Sequence, residues 1–98
     1  MTPLTYDKLS LDSIASQLES APGWTVEGGA LTRSFEFKTY ASCLVFGVAV
    51  GHCADHLNHH PDLMIGYKKV VVSMVTHDAG GGLTAYDFEL ARRINALV

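Results

Sequence analysis

Four of the chain's five histidines lie between residues 56 and 77, and two of them, His59 and His60, are adjacent and precede Pro61. Histidine is the side chain whose unperturbed pKa lies nearest neutral pH, so it can both give and take a proton under physiological conditions. Imidazoles at this density indicate proton transfer, metal ligation or pH sensing. The surrounding residues must discriminate among these three chemistries.

A metal site is one alternative. Potential ligands are spaced i, i+3, i+4 and i+7 along a predicted helix, namely His52, Asp55, His56 and His59. The pattern does not contain the His-Glu-x-x-His arrangement of zinc peptidases, and no cysteine pair has zinc-finger spacing. Imidazoles on one helix face are more often solvated surface. The sequence therefore favours no protein-encoded metal site.

Nucleophilic catalysis is a second alternative, and the residues give it little support. Ser73, Cys43 and Cys53 lie in apolar contexts, and the chain contains no Gly-x-Ser-x-Gly turn. Neither cysteine is flanked by the basic cluster that makes a thiolate reactive. The chain is therefore not expected to use a covalent intermediate.

General acid–base catalysis without a metal is the third alternative. Two imidazoles on opposite sides of a small substrate could donate one proton and accept another, each contributing about 10²–10⁴-fold. A structural interpretation competes with it, in which His59 caps its helix and His77 closes a strand. That interpretation would be preferred for any single histidine. The spaced set of His59, His60, Tyr67, His77 and Asp87 favours catalysis.

The elements that must position these residues follow from periodicity and capping signals. We predict the order α-β-β-α-β-β-α in an α+β fold, with a four-stranded antiparallel sheet carrying three helices on one face. Pro61 disfavours helical angles at the residue before it, so the central helix should end near His59. Thr84 and Asp87 have the spacing of a capping box at the start of the last helix. The predicted helices span about 11–18, 39–58 and 85–97, and the predicted strands 24–27, 31–37, 63–65 and 67–77.

Two further details of these elements are predicted. Gly51 weakens the central helix and should therefore serve close packing against a neighbour. His52, Asp55, His56 and His59 should share the face of that helix opposite its apolar stripe. Tyr67 is expected to open a strand and pack near the site, and Asp87 to cap its helix with a secondary influence on His77.

The bulk composition excludes several classes of protein. The 98 residues, 48% hydrophobic and 17% charged, predict a single domain covering 1–98 with its own core. A net charge of −3 without a basic stripe predicts no nucleic-acid partner. The longest apolar run, 43–51, is about half a membrane span, and the first residues lack a signal peptide. We therefore expect a cytoplasmic protein with no membrane partner.

The spaced motif resembles the signature of the pterin-4a-carbinolamine dehydratases. The resemblance rests on Asp55-x-x-x-His59-His60-Pro61, followed at set distances by Tyr67, His77 and Asp87. Other segments extend it over most of the chain: Pro22-Gly23-Trp24, Leu31-x-Arg33-x-Phe35-x-Phe37 and Leu83-Thr84-x-x-Asp87. A lone His-His-Pro would be a weak signal, whereas this spaced set is specific.

The resemblance implies dehydration of 4a-hydroxytetrahydropterin to quinonoid dihydropterin, with no cofactor and no metal. It implies a homodimer or homotetramer and a link to an aromatic amino acid hydroxylase, whose product would be recycled. The catalytic imidazoles that carry over are His59, His60 and His77, with His59 and His77 as the preferred proton-transfer pair. Asp55, Tyr67 and Asp87 carry over as substrate-binding or supporting residues. Relatives also serve as coactivators or assembly factors, so the alternative is a non-catalytic interaction module on the same fold.

Overall fold

A four-stranded antiparallel sheet with helices on one face forms the framework of the computed structural model, which describes residues 4–98. The strands are ordered β1-β2-β4-β3. The predicted α+β class and element order are confirmed. The elements are α1 (Leu11–Leu18), β1 (Thr25–Glu27), β2 (Ala30–Glu36), α2 (Tyr40–Leu57), β3 (Asp62–Ile65), β4 (Lys69–Met74) and α3 (Ala85–Asn95).

The two central strands, β2 and β4, alternate buried and solvated residues, as a sheet covered on one face requires. Leu31 pairs with Met74 and Phe35 with Val70, and all four side chains are buried. The alternate residues point to the opposite face and are half-buried or exposed in the single chain, namely Thr32, Ser34, Val71 and Ser73. The core therefore lies between one face of the sheet and the helices.

Helix α2 packs over this core, and the chain continues from its end into the edge strand β3. Its N-cap is Thr39, whose side chain accepts a hydrogen bond from the backbone N–H of Ser42. Close packing occurs at Gly47, where an added Cβ would lie 2.8 Å from Ile65 Cδ1. An added Cβ at Gly51 would meet nothing within 4 Å in the described chain. The prediction that Gly51 serves close packing is thus wrong within the single chain.

Arg33 interrupts the apolar face of β2, and its contacts explain how it is accommodated. Its guanidinium lies 4.4 Å from the centre of the Phe35 ring and donates hydrogen bonds to Asn95 Oδ1 at 2.6 Å and to the Pro22 carbonyl. The Trp24 indole N–H donates to the same Asn95 oxygen at 2.7 Å. The charge therefore connects β2 with the end of α3 through satisfied polar contacts.

Two predicted boundaries differ from the structure. The strand predicted over 67–77 is shorter, since β4 spans Lys69–Met74 and His77 begins a short 3₁₀ turn, His77–Ala79. The last helix ends at Asn95 rather than near residue 97. Val75 follows β4 in sequence, but the pairing with β2 ends at the pair of Leu31 and Met74.

Candidate functional site

A pocket of about 410 Å³ opens where the end of α2 meets the end of β4. Its lining includes His59 and His60, which follow α2, and His77, which follows β4. We call it the histidine pocket. Its volume is within the usual range for small-molecule sites. The structure therefore brings the three imidazoles predicted as catalytic to one cavity.

His59 is turned into the protein by a left-handed residue. Asn58 ends α2 with φ 49°, and the backbone N–H of His59 donates to the Ala54 carbonyl at 3.1 Å, as in a Schellman motif. His59 is only 6% exposed. The prediction that His59 shares the solvated face of α2 is wrong, because the helix ends at Leu57 and the chain reverses its direction before His59.

The buried partner of His59 is Asp87. The Nε2 atom of His59 lies 2.6 Å from Oδ1 of Asp87, whose side chain is fully buried. An ionised carboxylate can only accept hydrogen bonds, so Nε2 carries the proton in this pair. In the neutral ring, Nδ1 then keeps its lone pair and can accept a proton. The pair thus fixes the orientation and the tautomer of His59.

Asp87 is itself held at the start of α3 by a network of hydrogen bonds. Its Oδ2 accepts from the Thr84 backbone N–H at 2.9 Å, which completes the predicted capping box. The same oxygen accepts from the Thr76 hydroxyl at 2.7 Å. Thr84 in turn lies 2.9 Å from Thr76 through the two hydroxyls. The carboxylate is therefore immobilised from both the helix and the end of β4.

His60 has an acidic partner of a different kind. Its Nε2 lies 2.9 Å from Oδ1 of Asp55, in the last turns of α2. Both side chains are exposed, at 59% and 76%, so solvent screens the pair. Asp55 thus contacts His60, but Asp55 itself does not line the histidine pocket.

His77 is exposed and lies at the first residue of the 3₁₀ turn after β4. Within residues 4–98 its side chain makes no hydrogen bond to another protein group, so both ring nitrogens are open to a bound molecule or to water. Asp87 was expected mainly to cap its helix, with a secondary influence on His77; its side chain caps α3 and contacts His59 directly.

Tyr67 is placed away from this cluster in the single chain. It lies in the turn between β3 and β4, and it is 73% exposed, with Lys68 Nζ 5.2 Å from its ring centre. The β3–β4 register puts Asp62, which lines the histidine pocket, at the opposite end of this hairpin. One chain therefore does not bring Tyr67 to the three histidines.

The remaining two histidines, His52 and His56, are exposed on α2. Across residues 4–98, no three His, Cys, Asp or Glu side chains converge with the geometry of a metal site. His59 lies beyond the end of α2, so it does not share a helical face with His52, Asp55 and His56 as the metal-site alternative required.

Sequence reasoning missed several residues of the pocket, among them Tyr6 and Asp78. Tyr6 stacks on Tyr86, with ring centres 4.3 Å apart and planes at 13°. Partial burial, the adjacent Tyr86 phenol and the Asp78 carboxylate together raise the pKa of Tyr6 above its ordinary value. Asp78 directly follows His77 and could have been suspected for that reason. Tyr6 precedes every periodic element and carried no signal.

The pocket can hold a small polar molecule among three imidazoles that differ in burial and in hydrogen-bond partner. One imidazole is buried with a fixed tautomer, one is paired at the surface, and one is free. These are the components of proton transfer to and from a bound substrate.

Comparisons with known proteins indicate one family. Residues 7–97 match the family model described as pterin 4 alpha carbinolamine dehydratase. A protein of Streptomyces coelicolor is 37% identical over 93% of this chain and 90% of its own length. One of Sulfurisphaera tokodaii is 40% identical over 93% of this chain and 97% of its own. Both are provisionally named pterin-4-alpha-carbinolamine dehydratase.

Two solved structures are also similar. A Brucella melitensis protein described as a transcriptional coactivator/pterin dehydratase superposes with a TM-score of 0.86 at 31% identity, over 93% of this chain and 98% of that one. A pterin dehydratase-like protein, described as a RuBisCO assembly factor in the alpha-carboxysome, gives 0.64 at 22% identity, over 80% and 92%. The second likeness concerns the fold alone.

In the described part of the chain, no helix has the length and apolarity to cross a bilayer.

Proposed function

This chain belongs to the pterin 4 alpha carbinolamine dehydratase family, and from that membership we propose that it dehydrates a 4a-hydroxytetrahydropterin to the quinonoid dihydropterin. The observation that carries the proposal is the convergence of His59, His60 and His77 on one pocket. A scaffold has no physical need for three imidazoles at one cavity. A dehydratase needs a proton donor and a proton acceptor there.

The reaction breaks the C4a–O bond and removes the proton from N5, so that a C4a=N5 double bond forms and the hydroxyl leaves as water. Loss of hydroxide is unfavourable unless the oxygen is protonated as the bond breaks. The substrate therefore needs one acid at the 4a oxygen and one base at N5. Each such proton transfer is worth about 10²–10⁴-fold in rate.

We assign the base to His59 and the acid to His77. The carboxylate of Asp87 supports the first assignment, since it leaves Nδ1 of His59 as the nitrogen that can take a proton. An aspartate behind an imidazole fixes the productive tautomer in the same way in serine proteases. His77 is exposed and unpaired within residues 4–98, so solvent can reprotonate it between turnovers.

His60 and Asp55 are proposed to serve substrate binding rather than proton transfer. His60 lines the pocket, where its imidazole can contact the polar edge of a pterin, and the exposed Asp55 carboxylate orients that imidazole from outside the pocket. Tyr67 remains a proposed supporting residue only if a second subunit brings it close, because its own chain holds it at the far end of a hairpin.

The experiment is stopped-flow decay of freshly generated 4a-hydroxytetrahydropterin, with the wild type, His59→Ala and His77→Ala. We expect acceleration by the wild type and at least ~10²-fold less in each variant, as for a lost proton-transfer group. His56→Ala is the matched control, since it removes an exposed imidazole of α2 that does not line the histidine pocket. No acceleration by folded wild type would sink the proposal.

An interaction module on the same fold is the second candidate. The outer face of α2 exposes Leu44, Val45 and Val48, which a lone soluble domain rarely leaves as a group. We propose that this face makes a homodimer or homotetramer. The proposed functional partner is an aromatic amino acid hydroxylase, whose product would be the substrate.

The interaction module becomes the better description of the protein if the folded wild type forms this oligomer but does not accelerate the dehydration.

A further inference from the structure

Tyr6 lines the histidine pocket although it lies far from the family motif in sequence. It belongs to the segment 4–10, which precedes α1. The backbone N–H of Leu9 donates to the Leu83 carbonyl at 2.8 Å, and Leu4 and Leu9 pack against the core. The segment is therefore attached beside the start of α3, next to the residues that hold His59.

The ring of Tyr6 continues an aromatic series that starts inside the protein. His59 lies 5.9 Å from Tyr86 between ring centres, and Tyr86 stacks on Tyr6 at 4.3 Å. Tyr86 covers one face of the Tyr6 ring, yet Tyr6 is still 42% exposed. Since the residue also lines the pocket, its remaining surface is available to a bound molecule.

We propose that Tyr6 is a substrate-contacting residue whose ring forms an aromatic wall for the flat pterin. The inference rests on the proposed function. Stacking on Tyr86 holds the Tyr6 ring in place before the substrate arrives, so little side-chain freedom is lost on binding. An aromatic contact of this kind favours the bound substrate without moving a proton. It should therefore act on affinity and leave the chemical step unchanged.

The test compares Tyr6→Ala, Tyr6→Phe and the wild type in the stopped-flow assay, with equilibrium binding of 7,8-dihydrobiopterin as a second readout. Tyr40→Ala is the control, because Tyr40 is similarly exposed, at 48%, and does not line the histidine pocket. We expect Tyr6→Ala to raise KM and the dihydrobiopterin Kd about 3- to 10-fold, with kcat within twofold. Tyr6→Phe and Tyr40→Ala should match the wild type.

The outcomes separate the two proposals. A wild type without turnover and without dihydrobiopterin binding overturns the proposed function and this inference together. A wild type that is active while Tyr6→Ala keeps its KM and Kd overturns this inference alone. A fall in kcat with a changed pH profile at constant KM also overturns it, since Tyr6 would then act through Tyr86 and His59. Weak binding by Tyr6→Phe would exclude the ring as the contact.

Discussion

At the scale of single residues, the three imidazoles differ mainly in their partners. His59 is buried against an immobilised carboxylate, His60 shares a solvated pair with Asp55, and His77 has no partner in the described chain. The sequence predicted a catalytic role for all three but could not distinguish their environments. Partner choice depends on the turn at Asn58 and on the cap of α3, which are separated along the chain and meet only in the fold.

Replacing Asp87 by Asn should reverse the tautomer of His59. The Thr84 backbone N–H and the Thr76 hydroxyl, which donate to Oδ2 of Asp87, would donate to the amide oxygen of the asparagine, so its amide nitrogen would face His59. It would donate to Nε2 and leave the proton on Nδ1, where the base needs a lone pair. We expect kcat to fall by at least ~10²-fold, with a stability loss of about 1–3 kcal/mol. Stopped-flow turnover and urea unfolding measure the two effects.

Asp55→Asn serves as the matched comparison, because it changes the other aspartate–histidine pair in the same way. That pair is exposed, so we expect stability to change by less than about 1 kcal/mol and kcat to stay within a fewfold. Equal losses in the Asp87 and Asp55 variants would contradict the assignment of the base to His59.

At the scale of elements, most of the fold could be predicted from local signals. The Thr84–Asp87 cap and the apolar stripe of the central helix predicted α3 and α2 correctly. Helix ends and turns were less predictable. Asn58 adopts positive φ, and Asn is only moderately typical of that conformation, so its sequence did not reveal that the chain turns inward there.

The glycines of α2 give an element-scale prediction. Gly51→Ala should stabilise the monomeric fold by about 0.5–1 kcal/mol, because alanine favours helix and its methyl group meets open space. Gly47→Ala gains the same propensity, but its methyl group would lie 2.8 Å from Ile65 Cδ1 and force that side chain to move. It should therefore stabilise less, or destabilise.

Urea unfolding of both alanine variants beside the wild type measures the difference. If Gly51→Ala destabilises the protein, then Gly51 packs closely against another subunit rather than against its own chain. Light scattering on the same variant would then show altered assembly.

At the scale of the whole molecule, two surfaces are not covered by any part of residues 4–98. One is the outer side of α2, and the other is the sheet face opposite the helices, which includes Thr32 and Ser73. Among the described strands, β3 pairs with β4 alone and so has a free edge. Composition could not reveal these surfaces, because a buried interface and a buried core use the same residues.

Charge on the outer side of α2 should disrupt assembly. We expect Val48→Glu, with or without Val45→Glu, to reduce the mass in light scattering toward that of one chain, because a carboxylate cannot be buried unpaired. Val26→Glu changes an exposed valine of β1 and should leave the mass unchanged. A wild type that is already monomeric would contradict the proposed oligomer.

The two carboxylate oxygens of Asp87 make different contacts, and only the contact with His59 bears on the proposed reaction. Its Oδ2 completes the cap of α3 whether or not a substrate is ever bound, while its Oδ1 orients His59. Under the proposed function, a descendant lineage that lost the chemistry would still gain from keeping this aspartate, whereas residues 4–98 contain no comparable partner that would preserve His77. Asp87 in a distant homologue would then indicate shared ancestry, and retention of the three histidines would be what the proposed dehydratase activity requires.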